Sequence, residues 1–213
     1  MKRRLTVSFA VLATVLSLAC GPPATAADDT ADLRGWYVGL QGVRSDRQRF
    51  DVFGRLDLPP AAVSTPASGG GFQFGHRFGG RFLLGCQLVV SDHDLADIDQ
   101  SLLDVEVLIT GTVLFRPTSF FEPFLRGGIG GGGLLVQHET DDGQTFAFGP
   151  AGIAGGGVQL RLGAGVSLEL EAVATFVNYL EVDDQPEGGM STDTQVRTSN
   201  QGWRVGAGIS LWF

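Results

Sequence analysis

The chain has 213 residues, of which 18% are charged and 32 are glycine, and its formal net charge is −8. A polyanion of this kind is excluded as a nucleic-acid binder. Its two cysteines, Cys20 and Cys86, exclude a disulfide framework and a multi-cysteine zinc site.

The first segment reads Lys2, Arg3 and Arg4, an apolar run from Leu5 to Ala19, then Pro22-Pro23 and Ala24-Thr25-Ala26. This is the layout of a secretory signal peptide, and the run is shorter than the ~18 residues of a membrane-spanning helix. Cleavage after Ala26 leaves a short N-terminal segment, 27–33, and one domain, 34–213. The mature chain then has 12 arginines, no lysine and 23 acidic residues, a net charge of −11, and Cys86 as a small apolar strand residue. A competing reading takes Leu16-Ser17-Leu18-Ala19-Cys20 as a lipoprotein box with acylated Cys20, although serine three places before the cysteine fits such a box poorly.

Alternation and turn residues predict eight strands, near 34–44, 69–78, 81–91, 102–116, 122–136, 146–160, 165–177 and 201–213. Each is longer than the ~5 to 6 residues usual in globular strands and meets the ~9 to 11 a tilted membrane strand needs. The connections alternate. Long segments at 45–68 and 178–200, and loops at Ser91–Asp99 and Asp141-Asp142-Gly143, are separated by short turns at Gly79-Gly80, 117–121 and Leu162-Gly163-Ala164. Short turns belong on the periplasmic side and long loops outside, which puts both chain ends in the periplasm.

The final strand shows the pattern most clearly. Trp203, Val205, Ala207, Ile209, Leu211 and Phe213 share one face, and Gly202, Arg204, Gly206, Gly208, Ser210 and Trp212 the other, so its two sides meet two different environments. A terminal Phe preceded by apolar residues at every second position resembles the C-terminal signature of Gram-negative outer-membrane β-barrels. The resemblance implies that these six apolar residues form a signal read by the barrel assembly machinery. Gly35-Trp36-Tyr37-Val38-Gly39, the glycine-rich stretch from Phe148 to Leu162, and Val166-Ser167-Leu168-Glu169-Leu170-Glu171 resemble strands of the OmpA-type transmembrane barrels. The expected fold is all-β, an eight-stranded antiparallel up-and-down transmembrane β-barrel in the cell outer membrane. OmpA carries a peptidoglycan-binding domain after its barrel; the resemblance of residues 34–213 is to the barrel alone, so that activity is not implied.

On this reading Trp36, Val38, Leu40, Phe72, Phe74, Phe82, Leu84, Leu88 and Val90 face lipid, as do Leu103, Val105, Val107, Ile109, Val113 and Phe115, and Val166, Leu168, Leu170, Ala172, Ala174 and Phe176. The lumen receives Arg77, Arg81, Asp104, Glu106, Arg126, Gln159, Arg161, Glu169, Glu171 and Arg204. Charges withdrawn from water have to pair, so the expected lumen is a network of arginines and carboxylates that plugs the barrel. Gly128, Gly130, Gly132, Gly155 and Gly157 either leave room for these long side chains or permit strand curvature.

Other chemistry is weaker. The acidic stretch Ser91–Asp99 lacks the ordered spacing of a calcium loop, and a solvated loop accounts for it. Ser91 and His93 share a strand face but form no G-x-S-x-G elbow. No Lys-Ser/Thr follows the glycine run 127–133, which removes a phosphate-binding loop. No enzyme, cofactor or metal site is therefore expected. The expected function is a structural or surface-interaction component with outward loops, in contact with outer-membrane lipid and lipopolysaccharide. A narrow solute channel, a soluble lipocalin-like carrier and a lipid-modifying enzyme remain as alternatives.

Overall fold

A computed structural model describes residues 35–50, 66–94, 101–115, 120–137, 144–163, 165–179, 181–185 and 198–213. The signal segment 1–26, Cys20 and the outer parts of the loops lie outside the described residues. Nine strands follow in order: β1 (Gly35–Phe50), β2 (Ala67–Phe78), β3 (Phe82–Asp94), β4 (Ser101–Leu114), β5 (Phe121–Gln137), β6 (Gln144–Gly163), β7 (Val166–Tyr179), β8 (Glu181–Gln185) and β9 (Thr198–Trp212). Every pairing is antiparallel; chain neighbours pair from β1 to β7, β8 pairs with β6, and β9 joins β7 to β1 and thereby closes an eight-stranded barrel.

The short β8 is the difference from the predicted elements. Ala151 pairs with Val177 and Phe148 with Glu181, so three steps along β6 face four along β7 and β8. The register on β6 therefore shifts by one residue between its pairing with β7 and its pairing with β8. The strands also run further out than expected: β1 reaches Phe50 and β9 starts at Thr198.

Register fixes the barrel's geometry. The row that starts at Trp36 passes through His76, Leu84, Gly111, Gly127, Ala154, Ala174 and Trp203 and returns to β1 at Asp46. Starting at 36 and closing at 46 is a shear of ten residues. Eight strands with that stagger tilt by about 45° and enclose an interior that side chains can fill.

The two faces separate as the alternation demands. Ile109, Ile129, Leu125, Phe82, Phe74 and Leu170 are exposed on the outside, with Ile129 at 72%. Gln73, Arg77, Gln87, Glu106, Arg126, Glu169, Glu171 and Arg204 are buried inside. A soluble carrier barrel has the opposite arrangement, apolar within and polar without, so that alternative is set aside.

Glycine in β5 and β6 answers mainly to backbone crowding. A Cβ on Gly130 would collide with the Val107 carbonyl, and one on Gly157 with the Leu170 carbonyl and the Phe124 ring. Close strand approach, rather than space for charged side chains, is the reason for both. On the outer face, Gly111 has open space around such a Cβ. Gly157→Val is therefore expected to lower the urea midpoint of the folded barrel sharply, whereas Gly111→Ala leaves it nearly unchanged; heat-modifiable mobility on SDS gels, read across a urea series, checks the contrast.

Candidate functional site

The charged lumen is built from residues that period-two geometry delivers from six strands. At its periplasmic end, β2 supplies Arg77, which donates from Nε and Nη2 to the Gly80 carbonyl of its own turn at 2.9 and 2.6 Å. Its remaining capacity goes to Glu122 at the start of β5, with Nη2 to Oε1 at 3.4 Å, and Arg161 of β6 meets the same Oε1 at 2.5 Å. Glu122 is 0% exposed, so one carboxylate shielded from water holds two guanidinium groups.

Next to this cluster lies an apolar plug of Tyr37, Leu83, Leu114 and Phe124, with Trp212 packed against it. Tyr37 and Trp212 approach with ring centroids 4.9 Å apart, across the β1–β9 seam. The indole Nε1 donates to Ser167 Oγ at 2.9 Å, and Gln159 donates to the same hydroxyl at 2.7 Å. Guanidinium groups flank the plug: Arg77 lies 5.8 Å from the Trp212 centroid and Arg126 5.0 Å from that of Phe124, within the range of cation–π attraction.

The central cluster belongs to Arg126. Its Nη1 donates to Glu169 Oε1 at 2.7 Å and to Glu171 Oε2 at 2.6 Å, Nη2 donates to Glu169 Oε2 at 3.1 Å, and Nε donates to Thr112 Oγ1 at 3.0 Å. Residues 169 and 171 share a face of β7 because they are two apart. Arg204 of β9 forms the outward cluster, donating to Glu106 Oε2 at 2.6 Å and to the Gln87 carbonyl oxygen at 3.2 Å. Gln87 in turn donates to Glu171 Oε1 at 3.5 Å, an oxygen 4.0 Å from Arg204 Nε. Central and outward clusters are thus one network.

The expected lumen residues Arg77, Asp104, Glu106, Arg126, Gln159, Glu169, Glu171 and Arg204 are all buried, and Arg161 is partly buried. Arg81 is a correction. Its side chain is exposed in the turn before β3, while its carbonyl accepts the Leu114 amide at 2.8 Å. Parity alone would turn it inward, but the ladder ends at the Phe78–Phe82 pair and Arg81 lies beyond it. Sequence reasoning missed Glu122, a buried carboxylate that meets Arg77 and Arg161. Counting back in twos from the inward Arg126 would have found it. The uncharged members Gln87, Thr112, Ser167 and Tyr37 gave no charge signal.

All six residues of the expected assembly signal lie on the outer side of β9, with Trp203, Val205, Leu211 and Phe213 among the exposed residues. Phe213 and Trp36 exchange backbone hydrogen bonds at 3.0 Å, which extends the seam to the last residue. Ser91 and His93 are buried on the lumen side of β3. Most of the acidic loop after them lies outside the described residues.

No protein-family model and no curated protein sequence matches the chain. Solved structures do. Neisserial surface protein A is 14% identical with a TM-score of 0.58, over 84% of this chain and 97% of that one. The outer membrane protein OprG from Pseudomonas aeruginosa is 13% identical with a TM-score of 0.53, over 87% of this chain and 99% of that one. The fold is that of a Gram-negative outer-membrane β-barrel. Its apolar exterior and charged interior agree with a place in the outer membrane. Among the described residues no helix is long and apolar enough to cross a membrane; the strands do the crossing.

Removing Arg126 would leave two buried carboxylates facing each other. Arg126→Met is expected to cost roughly 3 to 5 kcal/mol, most of it recovered in Arg126→Met/Glu169→Gln/Glu171→Gln. The exposed Arg81→Gln is expected to stay within about 0.5 kcal/mol of wild type. Equilibrium unfolding in urea from lipid vesicles measures all three.

Proposed function

We propose that this outer-membrane barrel is a non-enzymatic structural mount whose outward surface makes the protein's contacts, and that its lumen is closed. The observation that carries this reading is the lumen network itself. Arg77, Arg126 and Arg204 span the interior from turn to outward half, are 4% exposed or less, and are held by carboxylates from other strands. Long side chains locked this way leave a solute no path without breaking several charge-assisted hydrogen bonds. Ser91 and His93 support the non-enzymatic part, because both sit inside the lumen rather than at the membrane rim, where a lipid-modifying enzyme needs its nucleophile.

The remaining partners follow from the exterior. Arg44 and Trp203 are exposed on β1 and β9 near the outward edge of the apolar belt, a combination suited to the headgroup level of lipopolysaccharide. The outer face of β9 would present the assembly signal to the barrel assembly machinery before closure against β1. The stretches 45–68 and 178–200, described only in part, would carry further surface contacts.

Planar-bilayer recording tests the closed lumen. The wild-type barrel is expected to give no discrete conductance steps, and Arg126→Ala/Glu169→Ala/Glu171→Ala, which removes the central cluster, is expected to give small ones. Steps from wild type that vanish on changing Arg126 or Glu169 would instead establish the narrow solute channel.

A further inference from the structure

The lipid-facing wall has one polar exception. Among the described residues, the outward strand positions from the periplasmic turns to the middle of the belt are apolar or glycine, save His76 of β2. A polar ring on such a wall is costly unless it has a partner. Within the protein its neighbours are aromatic: the imidazole lies 5.0 Å from the Trp36 ring, edge to face, and 4.5 Å from the Phe78 ring, and Phe74 stacks on Trp36 at 5.1 Å. Nδ1 is buried without a hydrogen-bond partner, and His76 makes no hydrogen bond to any described residue. A ring proton on Nε2 leaves only a lone pair at Nδ1 and gives the half-exposed ring a donor. Phenylalanine would continue the aromatic column equally well; what histidine adds is that N–H.

Register sets the depth. His76 shares a rung with Trp36 and Leu84, and the hairpin closes two residues later at the Phe78–Phe82 pair. Two residues on a strand tilted by about 45° put His76 about 5 Å above the Gly79-Gly80 turn, at the periplasmic edge of the belt. Trp36, Phe78 and Phe82 are exposed around it, as aromatic side chains are at a membrane interface. Arg81 is exposed on the same turn, and its guanidinium makes no ion pair among the described residues. This contrasts with Arg77, Arg126 and Arg204, which carboxylates hold. In a chain of net charge −8, neither 35–45 nor 67–91 contains Asp or Glu. One hairpin thus presents a positive charge and an N–H donor near one membrane depth, with aromatic rings around them and no acid on the strands beside them.

We infer that this wall of β1, β2 and β3 binds the phosphate of a membrane phospholipid at the periplasmic rim, with His76 Nε2 and the Arg81 guanidinium as its donors. Guanidinium offers paired hydrogen bonds to two phosphate oxygens, and the imidazole N–H supplies another to the same group. The rings of Trp36, Phe78 and Phe82 lie where the glycerol and the upper acyl chains run. A phosphodiester keeps its negative charge whatever headgroup lies beyond it. Phosphatidylglycerol and phosphatidylcholine therefore both fit, and a diacylglycerol with the same chains does not. The inference goes beyond the surface contacts proposed above and is independent of whether the lumen is closed.

The test is native mass spectrometry of the barrel in detergent, titrated with dioleoyl phosphatidylglycerol, dioleoyl phosphatidylcholine or dioleoylglycerol. Both phospholipids are expected to be retained as a single adduct, several-fold more than dioleoylglycerol. His76→Phe, which keeps the aromatic column, and Arg81→Gln are each expected to weaken retention several-fold, and together to erase the preference for phosphate. Gly111→Ala, on the outer face of β4, is expected to bind as wild type. A heat-modifiable gel shift retained by every variant shows that the barrel is intact. Equal retention of dioleoylglycerol, or phospholipid retention that ignores both substitutions, overturns the inference. Displacement of the lipid by an excess of inorganic phosphate overturns phospholipid as the occupant, and its failure to displace the lipid supports it.

Discussion

Charges enclosed by a barrel wall lose most of their contact with water, and each has to find an opposite charge or a hydrogen-bond partner inside. The structure meets this constraint by arranging guanidinium groups along the lumen, each shared among carboxylates from other strands. Two arginines converge on Glu122 near the periplasmic turns, Arg126 spans Glu169 and Glu171 in the middle, and Arg204 reaches Glu106 further out. Locally the first cluster carries an excess of positive charge and the second an excess of negative charge. Their neighbourhood, with the apolar plug of Tyr37, Leu83, Leu114 and Phe124 beside them, makes the filled interior one continuous structure rather than isolated ion pairs.

The same network depends on the barrel's shear. Which carboxylate meets which arginine is decided by the ten-residue stagger that returns the Trp36 row to Asp46. A slip by one residue on any strand would send its inward charges into lipid, so register and charge pairing specify one another. Outside, His76 apart, the requirement is only that side chains be apolar, and the exterior is correspondingly tolerant, with glycine and alanine beside Ile129 and Leu125.

Parity was legible in the sequence because both environments imposed it: Arg126, Glu169, Glu171 and Arg204 all stand two-fold out of phase with the apolar residues around them. Parity failed where the ladder stopped. Arg81 has the inward count but lies past the last pair of the hairpin, and Glu122, just inside the first pairs of β5, holds the position that balances Arg77 and Arg161. Partner choice was illegible for a different reason, since Arg204 and Glu106 are joined across 98 residues by shear that alternation does not encode. The pairing of β8 was hidden likewise, because Glu181–Gln185 reads as a loop until β6 supplies a partner.

The central claim is a lumen sealed by its own charges, and the most direct measurement is water exchange of the arginine Nε–H protons by NMR, with the barrel in lipid nanodiscs. The sealed network requires Arg126 and Arg204 to exchange far more slowly than Arg44 on the exterior. Exchange of Arg126 and Arg204 as fast as that of Arg44 would show a hydrated lumen and contradict it.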